Sequence, residues 1–99
     1  MGQLSNLPLG SVVETNAAFR NDGFKPVCAG LVPDSIYPMI SRAARENDMM
    51  LDAAFSLDLS YARECFCKLN MLKTLTNAEK QALFDEMLQG TKEYLKDYR

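Results

Sequence analysis

The sequence contains no histidine and no tryptophan among its 99 residues. The missing histidine removes the commonest general base and the commonest metal ligand in proteins. No run approaches the roughly 20 apolar residues that a membrane-spanning helix requires, so we expect no membrane partner. A net charge of −2, without any lysine-rich or arginine-rich block, creates no basic field, so we expect no nucleic acid partner either.

Cysteine is scarce, with three residues, Cys28, Cys65 and Cys67. An odd count without a secretory signal peptide indicates free thiols and a cytoplasmic location. Because no histidine can join the three thiols, metal binding is disfavoured and we assign no metal ligand. We interpret the cysteines as packed side chains, and Cys28 as a small buried hydrophobe.

The residues that are present suffice for one small domain, since 47% are hydrophobic and 24% are charged. Strand-favouring residues from Val12 to Phe19 precede an Asp22-Gly23 turn signal, after which the chain returns past Pro26. This pattern predicts a β-hairpin over about residues 11–29.

Beyond Gly30 the apolar spacing changes from two residues to the three and four of a helix. The spacing predicts three α-helices, over about residues 34–55, 58–69 and 76–98. The predicted fold class is therefore α+β, with an N-terminal hairpin followed by about three helices in a single domain over 1–99.

Several local interactions are expected within these helices. Arg42 and Glu46 are spaced to form an i, i+4 ion pair. Thr76 and Glu79 have the spacing of a capping box, which predicts the start of the last helix. Gly90 lies inside that helix, where glycine is unfavourable, so we expect another element to approach it closely.

Alternation along the first strand places Glu14, Asn16 and Arg20 on one face. These polar side chains are candidates for lining a sugar pocket or a dimer contact. A solvated face, or a face paired with polypeptide outside this sequence, is the favoured interpretation. We assign no catalytic and no cofactor-binding residue.

Two segments of the hairpin region carry a family resemblance, namely Ser-Asn-Leu-Pro-Leu-Gly-Ser-Val-Val-Glu-Thr-Asn over residues 5–16 and Asp-Gly-Phe-Lys-Pro-Val over 22–27. With the helical ending over 83–95, they resemble the C-terminal portion of family 4 glycoside hydrolases. The branch of α-galactosidases and α-galacturonidases is the most similar. Residues 68–71 depart from the Asn-Asp-Pro-Leu type of loop expected there.

The resemblance implies an enzyme that cleaves O-glycosidic bonds by redox-assisted elimination, with NAD and manganese as cofactors. The glycine-rich turn for NAD and the family's metal-binding histidine have no counterpart in this sequence, and the family's metal-binding cysteine lies in an upstream segment. We therefore predict a non-catalytic C-terminal fragment whose partner is a second copy or an N-terminal dinucleotide-binding domain. An independent helical protein-interaction module is the alternative.

Overall fold

The computed structural model describes residues 2–99. These residues group into two compact units, one ending at Arg45 and the other covering Glu46–Arg99. Each unit is described by itself. The prediction of one domain over residues 1–99 stays a prediction.

The first unit contains the predicted hairpin. Strands β1 (Ala17–Arg20) and β2 (Gly23–Pro26) are antiparallel. Gly23 closes the turn with a φ of 118°, which side-chain-bearing residues rarely adopt. The strands are shorter than the predicted span of 11–29, because the chain after β2 leaves the hairpin to pair with residues near the N-terminus.

The segment near the N-terminus is held by hydrogen bonds to the residues that follow β2. Leu4 forms a parallel bridge with Gly30. The Asn6 side chain donates to the Val32 carbonyl at 3.0 Å and accepts from the Val32 N–H at 2.9 Å. Leu7 and Val32 are buried beside these bonds, so the amide of Asn6 joins the two segments that form the small core of this unit.

Helix α1 covers Tyr37–Ser56. It begins three residues later than predicted, because residues 34–36 form a turn. The Pro33 carbonyl accepts from the N–H groups of Ile36 and Tyr37 in that turn. Pro38 lies in the first helical turn, where its missing N–H is tolerated.

Helix α2 covers Leu59–Cys67, and the Asp58 carboxylate caps it by accepting from the N–H groups of Ser60 and Tyr61. A 3₁₀ turn follows at Asn70–Leu72. The Asn70 N–H donates to the Glu46 carboxylate at 2.8 Å. The predicted Arg42–Glu46 pair is wrong: no ion pair joins them among residues 2–99, and Glu46 instead satisfies a backbone donor.

Helix α3 covers Asn77–Thr91 and starts at the predicted capping box, in which Thr76 and Glu79 satisfy each other's backbone N–H groups. The prediction of a helix to residue 98 is wrong, because a 3₁₀ turn at Lys92–Tyr94 follows α3. Backbone bonds then join Arg99 to Leu57 and Leu59, at 3.0 and 2.8 Å. A helix continued to residue 98 would not allow this return.

The core of the second unit lies among α1, α2 and the 3₁₀ turn after α2. Its buried hydrophobic residues are Ala53, Cys65, Leu69 and Leu72. The expected close approach at Gly90 is wrong, since among residues 2–99 a Cβ built there would meet nothing within 4 Å beyond its own helix backbone. The observed order of two strands and three helices confirms the predicted α+β class.

Candidate functional site

The protein exposes more surface than a chain of its mass usually does. Its accessible surface is 7823 Å², whereas a folded protein of 11.1 kDa exposes about 5,700 Å². Two separate globules of half that mass would together expose about 6,800 Å² by the same scaling. Many large hydrophobic side chains are exposed, among them Val12, Phe19 and Phe55, and clustered exposure of this kind is typical of interaction surfaces.

The hairpin carries the three residues selected from the sequence. Arg20 ends β1, while Glu14 and Asn16 lie in the segment that leads into it. All three are exposed, and exposure alternates along residues 11–16 as in an extended strand. The Asn16 carbonyl accepts from the Val27 N–H at 2.9 Å, which continues the pairing of the hairpin.

The opposite face of the hairpin is aromatic. Phe19 and Phe24 are cross-strand partners with ring centroids 6.2 Å apart. They are 82% and 67% exposed, so the pair stabilises the hairpin while leaving most of both rings in water. Exposed aromatic residues of this kind are typical of protein interfaces.

The second unit contains an apolar groove of about 290 Å³. It lies among the C-terminal part of α1, both later helices and the C-terminal segment. Its lining residues are mostly hydrophobic: Met50, Ala53, Ala54, Leu59, Ala62, Cys65, Phe66, Leu69, Phe84, Met87, Leu88, Thr91, Leu95 and Tyr98.

The hydroxyl groups at this groove are already engaged. The Thr91 hydroxyl donates to the Met87 carbonyl at 2.9 Å, and the Tyr98 hydroxyl donates to the Ala54 carbonyl at 2.7 Å. The Cys65 thiol belongs to a residue only 2% exposed. The groove is therefore suited to packing against apolar groups and lacks an accessible acid, base or nucleophile.

One charged pair lies next to the groove. The Arg63 guanidinium donates to the Asp85 carboxylate and lies 4.8 Å from the centroid of the Phe84 ring. This hydrogen bond lowers the pKa of Asp85 below its ordinary value. Arg63 thus stacks on an apolar wall and holds Asp85 ionised, as in a structural pair.

The three cysteines differ in how far their side chains are buried. Cys65 is buried and Cys67 half-buried, both on α2, as the packed-side-chain interpretation requires. The interpretation of Cys28 as buried is wrong, since it is exposed, with its Sγ 3.9 Å from the Ser5 Oγ. It follows β2 at the point where the chain leaves the hairpin, and the sequence carries no signal for that exposure.

The described residues do not fit the manganese and NAD of the resemblance. Within residues 2–99 no three cysteine, aspartate or glutamate side chains gather as a metal site would require. None of the five glycines belongs to a Gly-x-Gly-x-x-Gly turn. Over the same residues no helix has the length and apolar content needed to cross a membrane.

Comparison with known proteins identifies the family. Residues 1–70 match the family 4 glycosyl hydrolase C-terminal domain. The chain belongs to this family. The resemblance noted at residues 5–16 and 22–27 is thereby confirmed.

The similar curated proteins are α-galacturonidases. The one from Thermoanaerobacterium saccharolyticum is 36% identical over 99% of this chain and 21% of its own length. Those from Thermoanaerobacter italicus and Lachnoclostridium phytofermentans are 31% and 32% identical, over 98% and 94% of this chain and 21% and 20% of their own lengths. This family 4 C-terminal domain thus spans about a fifth of the relatives that it matches. No solved structure matches the chain.

Two contacts that matter for the site were missed from the sequence. Asn6 lies inside the segment that carries the resemblance, yet its double hydrogen bond to Val32 depends on residues 26 positions apart. Tyr98 ends the helix predicted over 76–98, whereas in the structure its hydroxyl donates to the Ala54 carbonyl. Neither partner could be chosen without the tertiary fold.

Proposed function

We propose that this chain is the non-catalytic C-terminal part of an α-galacturonidase-like enzyme that depends on NAD and manganese. The whole enzyme would cleave O-glycosidic bonds by redox-assisted elimination, in the cytoplasm. Within it, this family 4 domain serves as a scaffold of the substrate domain and as an oligomerisation element.

The observation that carries the proposal is the extent of the match. Nearly the whole chain aligns with α-galacturonidases, but with only about a fifth of their length. A histidine ligand and a glycine-rich dinucleotide turn cannot come from this sequence. The remaining four fifths are therefore the source we propose for both cofactor sites.

The scaffold role is supported by the surfaces described above. A domain that works inside a larger protein is expected to leave apolar surface for its neighbours. The Phe19–Phe24 pair and the apolar groove are surfaces of this kind, and neither carries a reactive group.

Complementation tests the proposal. The chain is co-expressed with the Thermoanaerobacterium saccharolyticum α-galacturonidase from which the matching C-terminal fifth has been deleted. We expect neither piece alone to hydrolyse an α-galacturonide, and the pair to do so only with NAD and manganese present. The control is Leu69→Asp, which places a charge at a buried position and should abolish complementation.

Two results would contradict the proposal. One is glycoside hydrolysis by the purified 99-residue chain alone. The other is a tight NAD site on that chain, measured by isothermal titration.

The second candidate function is an independent protein-interaction module, which the exposure of Phe19 and Phe24 also favours. The DNA upstream of the coding sequence separates the two. A glycine-rich strand–turn–helix with a cysteine and histidine pair, in frame or frameshifted, supports the enzyme part. An isolated short reading frame with its own start signals supports the module.

A further inference from the structure

The two outer edges of the hairpin differ in their capacity to accept another strand. Val27 N–H and Asn16 C=O bond to each other inside the hairpin. Since backbone groups alternate sides along a strand, those of Ala18 and Arg20 also face β2. The backbone groups of Ala17 and Phe19 therefore point away from β2, towards the outer edge of β1.

The outer edge of β2 is less suited to accept another strand. By the same alternation, Phe24 and Pro26 supply its outward groups, and Pro26 has no N–H to donate. Lys25 adds a charge in the middle of the strand, a common protection of sheet edges. The β1 edge has no proline and, within the described part of the chain, no second strand beside it.

The β1 edge is also preceded by an extended segment. Thr15 N–H and C=O form no backbone hydrogen bond among residues 2–99, and Thr15 shares the outward phase of Ala17 and Phe19. Three residues with the same phase thus provide a free row of donors and acceptors.

We propose that this edge pairs with the same edge of a second copy, antiparallel and centred on Ala17. The inference deepens the oligomerisation role in the proposed function and rests on it. The pairing joins two hairpins into one four-stranded sheet through about six backbone hydrogen bonds.

Charge complementarity favours a second copy of the chain as the partner and also determines the register of the pairing. With Ala17 opposite Ala17 of the other copy, Glu14 lies directly opposite Arg20, and symmetry repeats the pair. A shift of two residues, the smallest that keeps the outward groups in phase, would place Glu14 opposite Ala18 or Asp22. The register with Ala18 loses the Glu14–Arg20 ion pair. The register with Asp22 places two carboxylates opposite each other, which is destabilising.

The side-chain faces agree with this arrangement. Phe19 and Phe24 lie on one face of the hairpin, so pairing through β1 places the aromatic residues of both copies on one face of the joined sheet. The ion pairs lie on the opposite, polar face. A sheet with one apolar and one polar face is the usual form of an antiparallel sheet.

Sedimentation over a dilution series, with wild type and charge variants, tests the pairing. Glu14→Arg and Arg20→Glu each convert two attractive pairs into two repulsive ones, which should weaken dimerisation roughly tenfold. The double variant restores opposite charges and should return to the wild-type dissociation constant. Lys25→Glu is the matched control: it changes the charge as Arg20→Glu does, but on β2, and should leave dimerisation unchanged.

A cross-link tests the position of the two-fold axis. In a Cys28→Ser background, Ala17→Cys places two thiols opposite each other at a Cα separation of about 5.5 Å, within the range of about 4.4–6.8 Å for a disulfide. Mild oxidation should yield covalent dimers. Lys25→Cys in the same background should not, and circular dichroism verifies that each variant keeps its helices.

A monomer at all concentrations overturns the inference. So does a dimer whose dissociation constant is unchanged by the charge variants and that forms no disulfide through Ala17→Cys. Loss of the dimer on adding the upstream part of an α-galacturonidase also overturns it, because the β1 edge then belongs to that polypeptide. None of these results depends on hydrolysis or NAD binding, so the proposed function is judged separately.

Discussion

Gly90→Ala is expected to stabilise the protein. Gly90 is exposed within α3 and has no positive φ, and within the described part of the chain the new Cβ would meet nothing within 4 Å beyond its own helix backbone. Alanine therefore meets no steric obstacle and lowers the conformational entropy of the unfolded chain.

The expected gain is about 0.5–1 kcal/mol, because alanine exceeds glycine by up to about 1 kcal/mol in a helix interior and Gly90 lies near the end of α3. For a domain of this size, the gain corresponds to an increase in Tm of roughly 2–8 °C. Urea unfolding followed by far-UV circular dichroism measures the change, which should appear in the midpoint without a change in m.

Ala82→Gly provides the matched control. Ala82 is also exposed on α3, so this substitution should lower the free energy of unfolding by about 1 kcal/mol. If Gly90→Ala destabilises the protein while Ala82→Gly behaves as expected, our reasoning about Gly90 is refuted, and a close neighbour at that position must be present in solution.

Three further predictions concern individual side chains. Thr76→Ala removes the cap of α3 and should lower the free energy of unfolding by about 1 kcal/mol, measured by the same urea titration. The hydrogen bond from Arg63 lowers the pKa of Asp85 below its ordinary value, so its stabilisation is present above the ordinary pKa and is lost as pH falls through the lower folded pKa. Asp85→Asn should flatten the acid limb of a plot of unfolding free energy against pH, and an unchanged limb would contradict this. Cys28 should react with a thiol reagent in the native state while Cys65 reacts only after unfolding, which mass spectrometry of the labelled peptides checks; equal labelling of both would refute the assignment.

Local interactions were the part of the fold that the sequence predicted well. The capping box of Thr76 and the turn at Gly23 involve residues at most three positions apart, so residue type and spacing determine them. The order of strands and helices follows from the same short-range patterns.

Errors arose where distant residues decide the outcome. The end of α3 depends on Arg99 bonding to Leu57 and Leu59, about 40 positions away. Glu46 has an Arg42 at helical spacing, yet it bonds to the Asn70 N–H, because a backbone donor left without a partner costs more than a surface ion pair contributes. Helix propensity and hydrophobic periodicity carry no information about contacts between residues that are distant in the sequence.

The candidate site shows the same division. Alternation along the sequence predicts that Glu14, Asn16 and Arg20 lie on one strand face. The difference between the two hairpin edges can be recognised only from the hydrogen bonds that the strands form in the structure. The apolar groove required the packing of helices whose lengths were only approximately predicted.

Pro26 has a consequence for how such a protein behaves when concentrated. A two-stranded unit with both flanks available could recruit copies without end, giving filaments instead of a defined particle. One flank here ends in a ring nitrogen that carries no hydrogen, which disfavours further growth once the other flank is filled in the proposed dimer. In that arrangement the proline favours a closed particle over open-ended polymerisation.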